Sequence, residues 1–135
     1  MKHVDLLLII FTLFIVHTSY AKDVNCEANA SVQGEVISCS YDNYLTPLDH
    51  KVDQTYTQLI TTIKSSKNVG ADTLKSLMKA QSEWKVYRDS TCEFMFNKAG
   101  EQTVVWGEQF NCLMDFDNAR IKLLKKYILD VKSGG

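Results

Sequence analysis

The stretch Ala80–Cys92, AQSEWKVYRDSTC, constrains this chain more than any other. Gln81, Trp84, Arg88 and Thr91 follow steps of three and four, one stripe of a helix, with Glu83, Tyr87 and Phe94 beside it. A Trp with Gln and Arg one turn to either side is unusual for a plain core stripe. The indole supplies buried area, while its polar neighbours must find partners or water. The stretch ends in Cys92. It is expected to be the hub on which the other helices pack, with one of them pinned to it covalently.

Met1-Lys2-His3 precedes an apolar run from Leu6 to Val16, broken only by Thr12, and then small residues at Ser19 and Ala21. A positive start, a short apolar stretch and small residues make a secretory signal peptide, with cleavage expected after Ala21. A retained anchor is disfavoured, because a membrane span needs about 20 apolar residues. Asp23-Val24-Asn25 before Cys26 does not resemble a lipoprotein site. Residues 22–135 are then one domain, able to bury one modest core. The 15 basic and 16 acidic side chains lose one of each with the leader (Lys2, Asp5) and stay balanced. Nothing in that balance suggests a nucleic acid partner.

The four cysteines, Cys26, Cys39, Cys92 and Cys112, lie beyond the leader. An even number in a short exported chain reads as two disulfides. Three pairings are possible; Cys26–Cys39 and Cys92–Cys112 fit the helical pattern best. A zinc site is the weaker alternative, since no CxxC exists.

Ser31 to Tyr44 reads as a short helix capped by Ser31, with Val32, Val36, Ile37 and Cys39 at helical spacing. Thr46-Pro47-Leu48-Asp49 reads as a fresh helix start, with Thr46 at the N-cap and Pro47 at the first position. Its stripe is Leu48, Val52, Tyr56, Leu59 and Ile63. Ser65 to Gly70 is a turn in which Asn68 and Gly70 can take positive φ. Asp72 is expected to cap the next helix, whose inner side carries Leu74, Leu77, Met78, Gln81, Trp84, Tyr87, Arg88 and Cys92. Asp89 can pair with Lys85 on the same helix. After a turn at Lys98–Glu101, a last helix runs from about Thr103 to Lys132. Its stripe is Val105, Gln109, Cys112, Phe116, Ala119, Leu123 and Tyr127, widened by Phe110, Leu113, Leu124, Ile128 and Val131. Gly107 is its soft spot. Lys122, Lys125, Lys126 and Lys132 crowd its C-terminal end, where the helix dipole favours cations. The fold class is all-α: a three-helix up-down-up bundle with a short extra N-terminal helix, braced by two disulfides.

Of three histidines, His3 and His17 fall in the leader, so His50 alone remains. No His triad and no two-His metal site can be built in one chain. No phosphate-binding or dinucleotide glycine run and no GxSxG is present, so neither catalysis nor a cofactor or metal is expected. Glu83, Asp89, Glu93, Asp115 and Asp117 supply carboxylates, but a slim bundle offers little cleft for a glycosidase pair. Arg88 and Arg120 either present a guanidinium to a partner or pair with an acid on a neighbouring helix; for Arg88 the second reading is favoured. Trp106 and Phe110 are read as core in preference to a binding patch.

With these residues in hand, the chain resembles the N-terminal domain family of the lysozyme inhibitor LprI. The likeness rests on Cys26, Glu35 four before Cys39, Leu48-Asp49 followed by Tyr56, and Gln81-x-x-Trp84-x-x-Tyr87-Arg88-Asp89-x-x-Cys92. It continues through Gly100, Cys112, Arg120 and Leu123-Leu124. It implies a small exported helical protein that binds a protein partner, lysozyme or another peptidoglycan hydrolase, and residues Gln81, Trp84, Tyr87, Arg88, Asp89 and Arg120 that act mainly in the fold. The expected function is inhibition of such an enzyme from the periplasm or outside the cell. The alternatives are an immunity protein against a cell-wall-targeting toxin and an envelope accessory protein with no inhibitory role. Lys64, Lys67 and Asn68, in and beside the first turn, are the candidate partner-binding residues.

Overall fold

The computed structural model describes residues 25–26, 33–99 and 105–134. The expected leader and cleavage site, the Ser31 cap, most of the second turn, Thr103 and the Trp106 side chain lie outside the described residues. Helix α1 spans Gln33–Ser40, a π-helical segment Tyr41–Leu45 follows, and α2 (Thr46–Ser65), α3 (Ala71–Ala99) and α4 (Val105–Lys132) are the long elements. Two disulfides brace them: Cys26–Cys39 and Cys92–Cys112.

The helix expected to start afresh at Thr46 instead continues from the one before it. Thr46 is itself helical (φ −57°, ψ −45°), and its N–H donates to the Tyr41 carbonyl five residues back. In an α-helix Pro47 would leave the residue-43 carbonyl without a donor and press its ring against it. One wide π turn just ahead of Pro47 absorbs that misfit, so the chain bulges where a stop was expected. Asn43 fits the same turn, donating from Nδ2 to the Cys39 carbonyl at 2.8 Å.

The threonines of α2 settle their hydroxyls on the preceding turn. Thr55 Oγ1 donates to the Lys51 carbonyl at 2.7 Å, and Thr57, Thr61 and Thr62 do likewise. Thr55 is therefore buried without an orphaned hydroxyl. The turn after α2 uses no left-handed residue; among the described residues only Gly134 has a positive φ, 98°. It is fixed by the Ser66 N–H on the Ile63 carbonyl (3.1 Å) and the Asn68 N–H on Ser66 Oγ (3.3 Å). Helix α3 begins at Ala71, so Asp72 stands in its first turn and is not the cap. There its charge still suits the helix dipole.

The hub is α4, not α3. Helices α2 and α3 both lie along α4 and touch each other little. Val52, Leu59, Ile63, Ile121, Leu124 and Ile128 form the buried core, with Leu48, Tyr56, Leu77 and Trp84 packed against it. Leu59 and Leu124 are almost wholly removed from water, a contribution of about 1.5–3 kcal/mol each. The α2 stripe faces this core as its spacing predicts. The α4 stripe is rotated from the expected one. Ala119, Leu123 and Tyr127 are exposed, and the inward face reads Asp117, Arg120, Ile121, Leu124, Ile128. On α3, Met78 and Tyr87 are more than half exposed and leave the expected inner side. Among the described residues no helix is long and apolar enough to cross a membrane.

Candidate functional site

A polar cluster sits where the middle of α3 meets α2 and α4. Arg88 is buried at its centre. Its Nη1 donates to Asp117 Oδ1 at 2.6 Å and to Asp49 Oδ1 at 2.5 Å, and its Nε donates to Asp89 at 2.8 Å. One guanidinium thereby ties α3 to both neighbours. Two turns earlier on α3, Gln81 Oε1 accepts from both Nε and Nη2 of Arg120, at 2.9 and 2.7 Å. The indole of Trp84 lies between these two anchors along α3. The guanidinium carbons of Arg88 and Arg120 stand 5.3 and 5.2 Å from its ring centre, within reach of a cation–π attraction.

The electrostatics follow from this burial. Burial alone would lower the pKa of Arg88, but its bonds to Asp49, Asp117 and Asp89 outweigh that and raise it. Asp117 has no exposed surface. Its carboxyl is pushed upward by burial, with the Asp49 carboxylate adding to the effect; Arg88 opposes both without cancelling them. Among the described residues its Oδ2 has no hydrogen-bond partner, and neither does Gln81 Nε2. Arg120, which has no carboxylate partner among the described residues, has its pKa lowered by burial. The cluster is acid-rich, with three carboxylates around one guanidinium, yet a substrate cannot reach Asp117. Its evident work is to fasten three helices in register.

Asp89 bonds Arg88 and not Lys85, which crosses to Asp53 at 2.9 Å. Tyr87 stays outside, its ring edge-on to Phe116 with centroids 5.6 Å apart. Phe110 is half buried against Tyr41, centroids also 5.6 Å apart. Sequence reasoning named Arg88, Gln81, Trp84 and Arg120 but missed Asp49 as a partner and set Asp117 aside. The signal was present: Asp117 sits on the apolar repeat of α4, four residues before Ile121, where an unpaired acid would be very costly.

Lys64, Lys67 and Asn68 are exposed, at and beyond the end of α2 opposite Asp49. Folding sorts the balanced charges by end. Residues 60–80 and 121–134 carry eight Lys against Asp72 and Asp130. Residues 33–59, 81–99 and 105–119 carry ten Asp and Glu against Lys51, Lys85, Arg88 and Lys98. The turn end is strongly basic and the disulfide end strongly acidic. Among the described residues no group of His, Cys, Asp and Glu is arranged to hold a metal ion.

A disulfide-braced all-α bundle, locked by a buried Arg–Asp cluster beside a Trp, is a small helical domain with its polar motif turned inward. The sequence matches the family described as Lysozyme inhibitor LprI over residues 25–124. That span is more than half of the chain, and the chain belongs to this family. No curated protein and no solved structure gives a significant match.

Proposed function

We propose that this protein is an exported, non-catalytic inhibitor of lysozyme or a related peptidoglycan-cleaving enzyme. Family membership carries the reading, and the segregated charge supports a mode of action. Enzymes that hydrolyse glycosidic bonds commonly hold a pair of carboxylates in a cleft. The basic end offers Lys64, in the last turn of α2, and Lys67, on the narrow turn that follows, whose shape is already set by the bonds of Ser66. A preformed element loses little freedom on docking, so more of its contact energy appears as affinity. In this reading Lys64 and Lys67 approach the carboxylates, Asn68 adds amide hydrogen bonds, and the Arg88 cluster keeps the supporting helices rigid. The acidic end stays away from the enzyme.

A turbidity assay of cell-wall lysis with purified residues 22–135 tests this. Inhibition at near-stoichiometric ratio is expected, with at least about a tenfold weaker inhibition constant for Lys64→Glu/Lys67→Glu, about 1.4 kcal/mol. Unchanged lysis at large molar excess removes the lysozyme reading. Full inhibition by the double variant moves the contact away from this turn.

A further inference from the structure

Helix α4 carries an apolar stripe in addition to the one that builds the core. Phe116, Ala119 and Leu123 follow steps of three and four on the side turned away from Ile121, Leu124 and Ile128. Ala119 and Leu123 are exposed, and Phe116 is half-buried beside the Tyr87 ring. Tyr87 and Phe94, seven residues apart on α3 and each 62% exposed, lengthen the strip. A seam with this spacing is the one along which two helices coil together. We propose that it binds a second copy of this chain, α4 against α4 and antiparallel, in a two-fold symmetric dimer.

Charge selects that occupant and its direction. Glu108, Asp115 and Lys122 recur at every seventh residue, one line along the flank of the seam. All three are exposed, and none has an ion-pair partner among the described residues. The acids lie on one side of Ala119 and the lysine on the other, so the flank is complementary to its own reverse. Flanking charges of this kind set partner and orientation in paired helices. In an antiparallel pair, the same flank of each helix meets its copy. Asp115 of one chain then faces Lys122 of the other, twice, as a two-fold axis requires. Phe116 of each copy falls over Ala119 of the other, a large side chain on a small one. A parallel pair would instead set the two acidic ends side by side and the two lysine-rich ends side by side. Lys122 and Lys126 already stand one turn apart on α4, a like-charged pair that an incoming carboxylate relieves. The antiparallel arrangement also leaves Lys64 and Lys67 of the two copies free at opposite ends. The dimer does not rest on the inhibitory role.

Sedimentation equilibrium of oxidised residues 22–135, over a concentration series at low and high salt, tests this. A reversible monomer–dimer equilibrium is expected, weakened by salt. Asp115→Lys and Lys122→Asp each oppose like charges and should weaken association at least about tenfold. The double variant Asp115→Lys/Lys122→Asp should restore it. Leu123→Glu, at an exposed position, should leave a monomer with its helical circular dichroism unchanged. A wild-type chain still monomeric at about 1 mM, the weak end of specific association, overturns the proposal. So does a dimer that both single reversals leave unchanged, or one that the double variant fails to restore. A monomeric chain whose lysozyme inhibition is lost in Leu123→Glu also overturns it and assigns the seam to the enzyme. The mass measurement uses no enzyme, so failure of the inhibitory reading leaves the dimer standing, and the converse holds.

Discussion

Removing either member of the Arg88–Asp117 pair should have unequal consequences. Arg88 holds three carboxylates, whereas Asp117, with no exposed surface, is held by one cation. Arg88→Met strands a buried carboxyl, and breaking a buried pair in this way costs about 3–5 kcal/mol. Asp117→Asn keeps an oxygen for Nη1, and Arg88 retains Asp49 and Asp89. Its cost should stay near that of one weakened charge-assisted hydrogen bond, about 1–2 kcal/mol. A domain of this size has about 5–15 kcal/mol in total, so the first change is severe and the second mild. Urea unfolding followed by circular dichroism at pH 7 should separate them by about 2 kcal/mol or more. Acid sharpens the contrast. The Asp117 pKa is raised in the folded state. Its contribution to stability is therefore fully present below its unfolded value, about 3.9, and is lost as pH rises through the folded value. In Arg88→Met the lowering influence of the guanidinium is gone, so that loss is larger. The deficit of Arg88→Met relative to wild type should be smaller at pH 4 than at pH 7. Equal costs for the two substitutions at pH 7, or a deficit of Arg88→Met independent of pH, would refute the assignment of Asp117 as a buried, singly compensated acid.

Other expected outcomes are more local. Replacing Cys92 and Cys112 by Ala opens a loop with a sequence separation of 20 and should lower unfolding free energy by about 3 kcal/mol, with secondary structure retained at low temperature. Leu124→Ala, at a site with no exposure where α4 faces the core, should cost about 2–5 kcal/mol in the same urea titration. Gly107→Ala should raise the thermal midpoint, since an added Cβ meets nothing within 4 Å and Gly is about 1 kcal/mol worse than Ala in a helix.

Much of the bundle was legible because hydrophobic periodicity survives on α2, where Val52, Leu59 and Ile63 are apolar and inward. It failed on α4 because two of the inward positions, Asp117 and Arg120, are charged, and a reading by hydrophobicity assigns such residues to the surface. The same rule sent Met78 and Tyr87 inward, although both are largely exposed. The continuous helix across Thr46-Pro47 was hidden for a different reason. A Pro preceded by Thr is a strong start signal locally, and only the bulge of Tyr41–Leu45 shows that the chain passed through it. The choice of hub is a tertiary fact. Two amphipathic helices can each choose the same third as neighbour, and their own sequences do not record it. At the polar cluster, the sequence identified the guanidinium donors, while the acceptor Asp49 sits on another helix 39 residues away, beyond any local pattern.

The wide turn at Tyr41–Leu45 also sets an angular phase. An α-helix turns by about 100° per residue, whereas the π turn spends one residue more on each hydrogen-bonded ring, so forcing Tyr41–Leu45 into regular α-helix at unchanged length would swing α1 around the axis. Ser40 would lose its buried place and the Tyr41 ring its contact with Phe110. The wide turn thus works as an indexing pin, holding α1 at one azimuth while Tyr41–Leu45 rests against α4.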